Sequence, residues 1–152
     1  MSSAPITVAD VLRRRRGLAD KPLLVCDRER LSYADADARS AVLARRLVAL
    51  GAGKGTHVGL LYPNGAQFVV AMLAAARIGA VVVPFSTFGT APELRRQLIH
   101  ADIAVLLAAG SYRTNDYVER LSEAVGKTLT DRATIPILTA DVPVLRHIVF
   151  DA

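Results

Sequence analysis

Two hydroxyls, an aromatic ring and a glycine follow one another in Ser86-Thr87-Phe88-Gly89, directly after the apolar run Ala80–Phe85. A strand-end loop of this kind offers hydrogen bonds to a ligand's polar groups and a ring to its apolar part. Turn chemistry ahead of a helix cap at Thr90 accounts for the same residues. Ser86, Thr87 and Phe88 are therefore a candidate ligand loop. None of the strand-end hydroxyls, Ser86, Thr87 or Ser111, stands in a nucleophile-elbow context.

Other chemistry-bearing patterns resolve into turns and caps. Gly51-Ala52-Gly53-Lys54-Gly55 invites a phosphate-loop reading, because glycines let backbone N–H groups approach an anion. A phosphate cradle, however, follows a strand and opens a helix. This segment follows a helix and opens a strand, so it reads as a helix stop. Gly126-Lys127-Thr128 resembles the end of a nucleotide loop, but the earlier glycine the pattern requires would fall at Leu121. His57, His100 and His147 are far apart and have no further ligand at metal spacing. Asp35 and Asp37 read as solvated acids of a first helical turn, where carboxylates offset the dipole. Cys26 lies in the apolar run Leu23–Cys26 and reads as a buried small hydrophobe. No catalytic, cofactor-binding or metal-ligating residue is assigned.

The elements that would position the loop follow from periodicity and punctuation. His57–Thr90 reads as strand, turn, apolar helix and strand, a βαβ unit. Asn64 with Gln67 three positions on predicts the helix start, and Gly79 its stop. Ala80–Phe85 is apolar on both sides, as in strands buried inside parallel sheets. Before this unit, Thr7 with Asp10 opens a short helix that ends at Gly17. Leu23–Cys26 and Arg30–Ser32 flank a hairpin turn, and Ser32 caps a helix over Tyr33–Leu50. After it, Thr90, Pro92 and Glu93 predict a helix over Ala91–His100. A strand at Ile103–Ala109, a helix at Asn115–Val125 and a strand at His147–Asp151 complete the alternation. Gly126–Val144, interrupted by Pro136 and Pro143, is mixed. The expectation is a single α/β domain over 1–152. Residues 1–32 would form a leading helix and hairpin, 33–125 the βα repeats, and 126–152 a connecting segment and last strand. Its sheet would be doubly wound and mainly parallel, with helices on both faces. Ligands in such sheets bind beyond the carboxyl ends of the strands, here Pro63–Gly65, Ser86–Gly89 and Gly110–Arg113.

With 52% hydrophobic and 22% charged residues, the chain has the composition of a packed domain and not of a disordered one. A net charge of +5 is dispersed along it. The one cluster, Arg13–Arg16, closes a helix, where cations complement the dipole, and lacks the interleaved aromatics of a nucleic-acid surface. Nucleic acid is not an expected partner. A single cysteine permits no internal disulfide, and Asp20, Lys21 and Asp27 interrupt any signal-peptide core, so a cytoplasmic setting is expected. Arg77 in the middle of Phe68–Phe85 argues against a transmembrane segment.

Several phrases stand in a shared order. They are Leu31-Ser32-Tyr33-Ala34-Asp35, then Gly51-x-Gly53-x-Gly55 with Val58, then Asn64, then Ile78-Gly79-Ala80-Val81-Val82-Val83-Pro84, then Glu93-Leu94. Together they resemble the N-terminal part of the adenylate-forming (AMP-binding) superfamily, of acyl-CoA synthetase or fatty-acyl-AMP ligase type. Phe85-Ser86-Thr87-Phe88 is similar to some fatty-acyl members. Thr56 and Ala36 depart from the usual acidic residue and Leu. The resemblance implies an ATP-dependent carboxylate-activating ligase, forming an acyl-adenylate and then an acyl-CoA thioester, with ATP, Mg and CoA serving the full-length enzyme. The family's phosphate loop, its nucleotide-contacting motifs and its C-terminal lysine lie beyond the matched region. The chain is thus expected to be catalytically incomplete and to bind none of these cofactors by itself. Its expected partner is the remainder of the ligase, or a second copy through exposed apolar faces. Two other readings stay open: a free-standing, non-catalytic interaction or regulatory domain on the same fold, and a small nucleotide-binding protein unrelated to the ligases.

Overall fold

A computed structural model describes residues 6–130 and 134–151. The leading helix α1 (Val8–Arg14) starts on a reciprocal cap in which the Asp10 N–H donates to Thr7 Oγ1 (3.1 Å) and the Thr7 N–H donates to Asp10 Oδ2 (3.0 Å). A 3-10 turn over Arg16–Leu18 carries Gly17. The hairpin β1 (Pro22–Cys26) and β2 (Glu29–Ser32) follows, then α2 (Tyr33–Ala49), which Ser32 caps as expected by accepting from the Asp35 N–H (3.0 Å). The βα repeats are β3 (His57–Leu61), α3 (Ala66–Arg77), β4 (Val81–Pro84), α4 (Ala91–His100) and β5 (Val105–Ala109). A two-residue hairpin, β6 (Ser111–Tyr112) and β7 (Asn115–Asp116), leads into α5 (Tyr117–Val125); β8 (Thr134–Pro136) and β9 (His147–Asp151) close the described chain.

The main sheet has the order β4-β3-β5-β9-β8, parallel except for β8. Side chains of its inner strands alternate between two cores, as the two-residue period of a strand demands. Val58 and Leu60 of β3, Val105 and Leu107 of β5, and Val149 of β9 pack with α2 and α3. Leu61, Leu106, Ala108, Ile148 and Phe150 face the other way, onto α4 and α5. Helices thus cover both faces, and the doubly wound α/β class holds. Gly59 is where the second face closes most tightly on β3. A Cβ built there would lie 2.8 Å from Leu106 Cδ1, 3.0 Å from Phe85 Cε2 and 3.2 Å from Ile103 Cγ2.

Several expectations are corrected. Ala80–Phe85 was expected inside the sheet, but β4 is its edge, with Val81 44% exposed. An edge strand can carry the same β-branched apolar residues as a central one, so composition does not tell them apart, although β4 is the less buried of the two kinds here. Asn64 and Gln67 do not cap α3. Its N-cap is Gly65, and the Glu29 carboxylate, reaching over from the hairpin, accepts from the Ala66 N–H (2.7 Å). Cys26 is half-buried, its thiol facing the Asn64 carbonyl at 4.0 Å, because the hairpin lies on the flank of the core. The α5 helix begins at Tyr117 with Asp116 as N-cap, and Asn115 belongs to β7. Within the mixed stretch 126–144, Thr134–Pro136 pairs antiparallel with β9.

Asp37 is not the solvated acid expected of a first turn. Its carboxylate accepts from Arg77 of α3 (2.5 Å) and sits 3.5 Å from Arg16, with its side chain 23% exposed and that of Arg77 19%. Buried Ser40 accepts a second Arg77 N–H (3.2 Å). One guanidinium thereby joins α2 to the last turn of α3. The Arg77 hydrogen bond and charge hold the Asp37 carboxyl below its ordinary range, with Arg16 adding to the effect and burial opposing it.

Two stability changes are expected. Because the folded pKa of Asp37 is depressed, the pair contributes stability above the unfolded pKa and loses it as pH falls through the folded value. Asp37→Asn should cost about 1 to 2 kcal/mol at pH 7 in urea unfolding, and the gap to wild type should close as pH drops below about 4. A gap that does not change with pH would exclude the ion pair as its source. Gly59→Ala should cost about 1 to 3 kcal/mol by overpacking, seen as a lower urea midpoint with an unchanged slope.

Candidate functional site

The connections of the sheet create a crevice at its carboxyl ends. After β3 the chain turns toward α3 on one face, whereas after β4 and β5 it turns toward α4 and α5 on the other. Strands whose exits diverge leave open space above their ends. A groove of about 400 Å³ lies there, shared by residues that follow all three strands. Tyr62 and Asn64 come from β3, Phe85 to Phe88 from β4, and Tyr112 from β5. The chain has only eight aromatics, four Tyr and four Phe. Five of them, Tyr62, Phe68, Phe85, Phe88 and Tyr112, line this groove, and among the described residues no charged side chain does.

The structure brings Ser86, Thr87 and Phe88 together on the rim. Phe88 is 70% exposed, a large apolar surface left in water. The loop is locally folded, since the Phe88 N–H donates to Ser86 Oγ and the Gly89 N–H to the Ser86 carbonyl, both at 3.3 Å. On its other side Ser86 and Phe88 also border a cleft of about 500 Å³ against α4, where Glu93, Arg96, Gln97 and His100 make the wall polar. The loop separates an uncharged groove from a charged cleft.

Beneath the loop lies an anchorage that sequence reasoning missed. The Thr87 carbonyl accepts from Tyr117 Oη (3.0 Å) and from Asn115 Nδ2 (3.3 Å). The Gly89 carbonyl accepts from Arg120 (3.0 Å), whose other terminal nitrogen donates to Asn115 Oδ1 (2.6 Å). Tyr117 is fully enclosed, and burial pushes its phenol above the ordinary range, so it remains a protonated donor at neutral pH. These contacts join positions about thirty residues apart, beyond the reach of any local pattern. The aromatic groove had a fainter signal, in that Tyr62, Phe85 and Tyr112 each stand within three residues of a strand's carboxyl end.

The remaining candidates do other work. The Gly51–Gly55 turn lies at the amino end of β3, opposite the groove, and its Gly55 N–H is engaged by the Gly79 carbonyl (2.9 Å). Gly126 takes the left-handed conformation that ends α5, and Lys127 donates to the Pro136 carbonyl (2.9 Å). His57 Nδ1 lies 2.6 Å from the Ala101 carbonyl oxygen. Asp35 lies at the exposed start of α2, within 2.8 Å of the Ser32 hydroxyl. Ser111 is exposed in β6. Among the described residues no group of three or more His, Cys, Asp or Glu side chains is placed to hold a metal ion, and no helix is long and apolar enough to cross a membrane. Among the described residues the two glycine-rich turns are engaged as helix stops and do not form a phosphate cradle.

Known proteins share this fold. The model of the AMP-binding enzyme family matches residues 12–148. The chain is 30% identical to 4-coumarate–CoA ligase 5 of Oryza sativa subsp. japonica, over 75% of this chain and 24% of that protein. It is 28% identical to 2-succinylbenzoate–CoA ligase of Oceanobacillus iheyensis, over 76% of this chain and 24% of that protein. The crystal structure of the anthranilate CoA ligase AuaEII in complex with anthranoyl-AMP superposes with a TM-score of 0.77 at 21% identity, covering 96% of this chain and 25% of that one. The chain spans about a quarter of the length of these relatives. With a match running from α1 into β9, the chain belongs to the AMP-binding enzyme family.

Proposed function

We propose that this chain is the N-terminal segment of an ATP-dependent carboxylate-activating ligase, a single α/β unit over 1–152 that is catalytically incomplete by itself. The observation that supports this best is a family match over 137 consecutive positions, 12 to 148, that nonetheless reaches only about a quarter of the relatives' length. In the complete enzyme the carboxylate becomes an acyl-adenylate and then an acyl-CoA thioester, with Mg, ATP and CoA held by residues outside this segment. Stabilising charge at the reacting phosphate needs preorganised donors, and in this reading they belong to the rest of the enzyme. The compartment is the cytoplasm.

Ser86, Thr87 and Phe88 are the part of this segment that touches ligand. Their hydroxyls and the exposed Phe88 ring border an uncharged aromatic groove at the sheet's carboxyl ends, which suits the apolar part of an acyl or aryl carboxylate. A second reading, a free-standing module that associates with its own kind, draws on the unpaired edge of β4 and exposed Val81. Unpaired edges of this sort are templates for further strands.

Intact mass spectrometry of the polypeptide from its source cell separates the two. A mass far above 16.2 kDa is expected, whereas a mass near that value would overturn the ligase-segment reading and favour the module. The pure 152-residue chain, supplied with ATP, Mg, CoA and fatty or aromatic carboxylates, should release no pyrophosphate above a protein-free blank. Turnover would refute its incompleteness. In the source-cell enzyme, Phe88→Ala should raise KM for the carboxylate roughly three- to tenfold, about 0.7 to 1.4 kcal/mol of lost apolar contact.

A further inference from the structure

The Ser86–Gly89 loop is held from below by side chains of one neighbouring segment, and that hold explains how an exposed loop keeps one shape. Two carbonyls carry it. The Thr87 carbonyl takes both of its hydrogen bonds from β7 and α5, from Asn115 Nδ2 and Tyr117 Oη, and the Gly89 carbonyl takes one from Arg120. Arg120 also fixes Asn115 through its side-chain oxygen, which turns the Asn115 amide nitrogen toward the loop. Tyr117 is 1% exposed, so its hydroxyl has no water to exchange with and its donation is directional. The Phe88 and Gly89 amides both turn back to Ser86, and the side-chain hydrogen bonds to the loop's carbonyls come from these three residues.

We propose that Tyr117, Asn115 and Arg120 are positioning residues that hold Ser86–Gly89 as a fixed partition between the aromatic groove and the polar cleft against α4, and so set the width of the groove. None of the three lines the groove itself. Their effect passes through the backbone of Thr87 and Gly89, and it reaches Ser86 and Phe88 because these flank the held carbonyls. The inference rests on the reading of Ser86, Thr87 and Phe88 as the ligand loop, and it adds the set of residues that decides where that loop stands.

Amide hydrogen exchange of the ligand-free 152-residue chain tests the hold without any ligand. Tyr117→Phe keeps the ring in its packed place and removes only the hydroxyl. It should speed exchange at Phe88 and Gly89 by about three- to tenfold, the loss of one hydrogen bond, while Leu60 and Leu107 in the central strands exchange as before. Arg120→Met, which keeps an apolar stem, should act on the same two amides. No change at Phe88 and Gly89, or a rise of equal size at Leu60 and Leu107, would overturn the proposal. In the source-cell enzyme Tyr117→Phe should raise KM for the carboxylate by more than it lowers kcat. If Phe88→Ala raises KM and Tyr117→Phe does not, the positioning role fails while the ligand loop stands. If exchange at the loop responds and neither variant moves KM, the ligand loop itself is refuted.

Discussion

β3 has to satisfy its backbone along both edges while burying side chains on both faces, and the rest of the structure is built to meet that demand. Val58 through Leu61 pair with β5, and His57 through Leu60 pair with β4. Every residue from Val58 to Leu61 is buried. An unpaired polar group in such a place costs free energy comparable to a lost hydrogen bond, so the two neighbours must be in register before either core can close. Gly59 allows that closure on the α4 side, where any larger residue would collide with Leu106, Phe85 and Ile103.

Polar contacts then fix how the covering elements sit. Apolar packing is not directional, and Ala-rich surfaces such as that of α3 can slide with little penalty. Arg77 supplies direction by binding Asp37 and Ser40 on α2, and Glu29 supplies it at the opposite end of α3 by accepting from the Ala66 N–H. On the second face Arg95 of α4 plays the same part, donating to the Ala124 and Glu123 carbonyls at the end of α5. Each of these side chains reaches to a different element, and none belongs to a local motif.

The groove is a by-product of the same winding. Because β3 exits to one face and both neighbours to the other, the strand ends cannot be sealed by their own connections. Aromatic residues there are half in and half out of the core: Tyr62 and Phe85 are buried, whereas Phe88 is left in water. The loop that carries Phe88 is anchored through the Thr87 and Gly89 carbonyls, and not through the Phe88 ring.

Local signals were enough for most elements. The Thr7, Ser32 and Thr90 caps, the stops at Gly51 and Gly79 and the apolar strands were legible because each depends on residues within four or five positions, whereas the first helix ends at Arg14, short of Gly17. The family was legible for a related reason, since its phrases are turn and cap residues at strand and helix junctions. What was misread depends on partners far along the chain. Asp37 looked solvated until Arg77 arrived from α3, Asn64 looked like a cap until Glu29 took that role, and β4 looked central until the strand order placed it at the edge. The anchorage of the Ser86–Gly89 loop by Tyr117, Asn115 and Arg120 left no trace at all in spacing. Short-range sterics and periodicity account for the longer strands and helices and for their apolar faces, so these are readable from residue order alone, while the two- and three-residue strands β6, β7 and β8 are not. Which charges pair, which strand is left at the edge and which side chains hold the loop follow from the folded arrangement, because they depend on distances through space that chain separation does not encode.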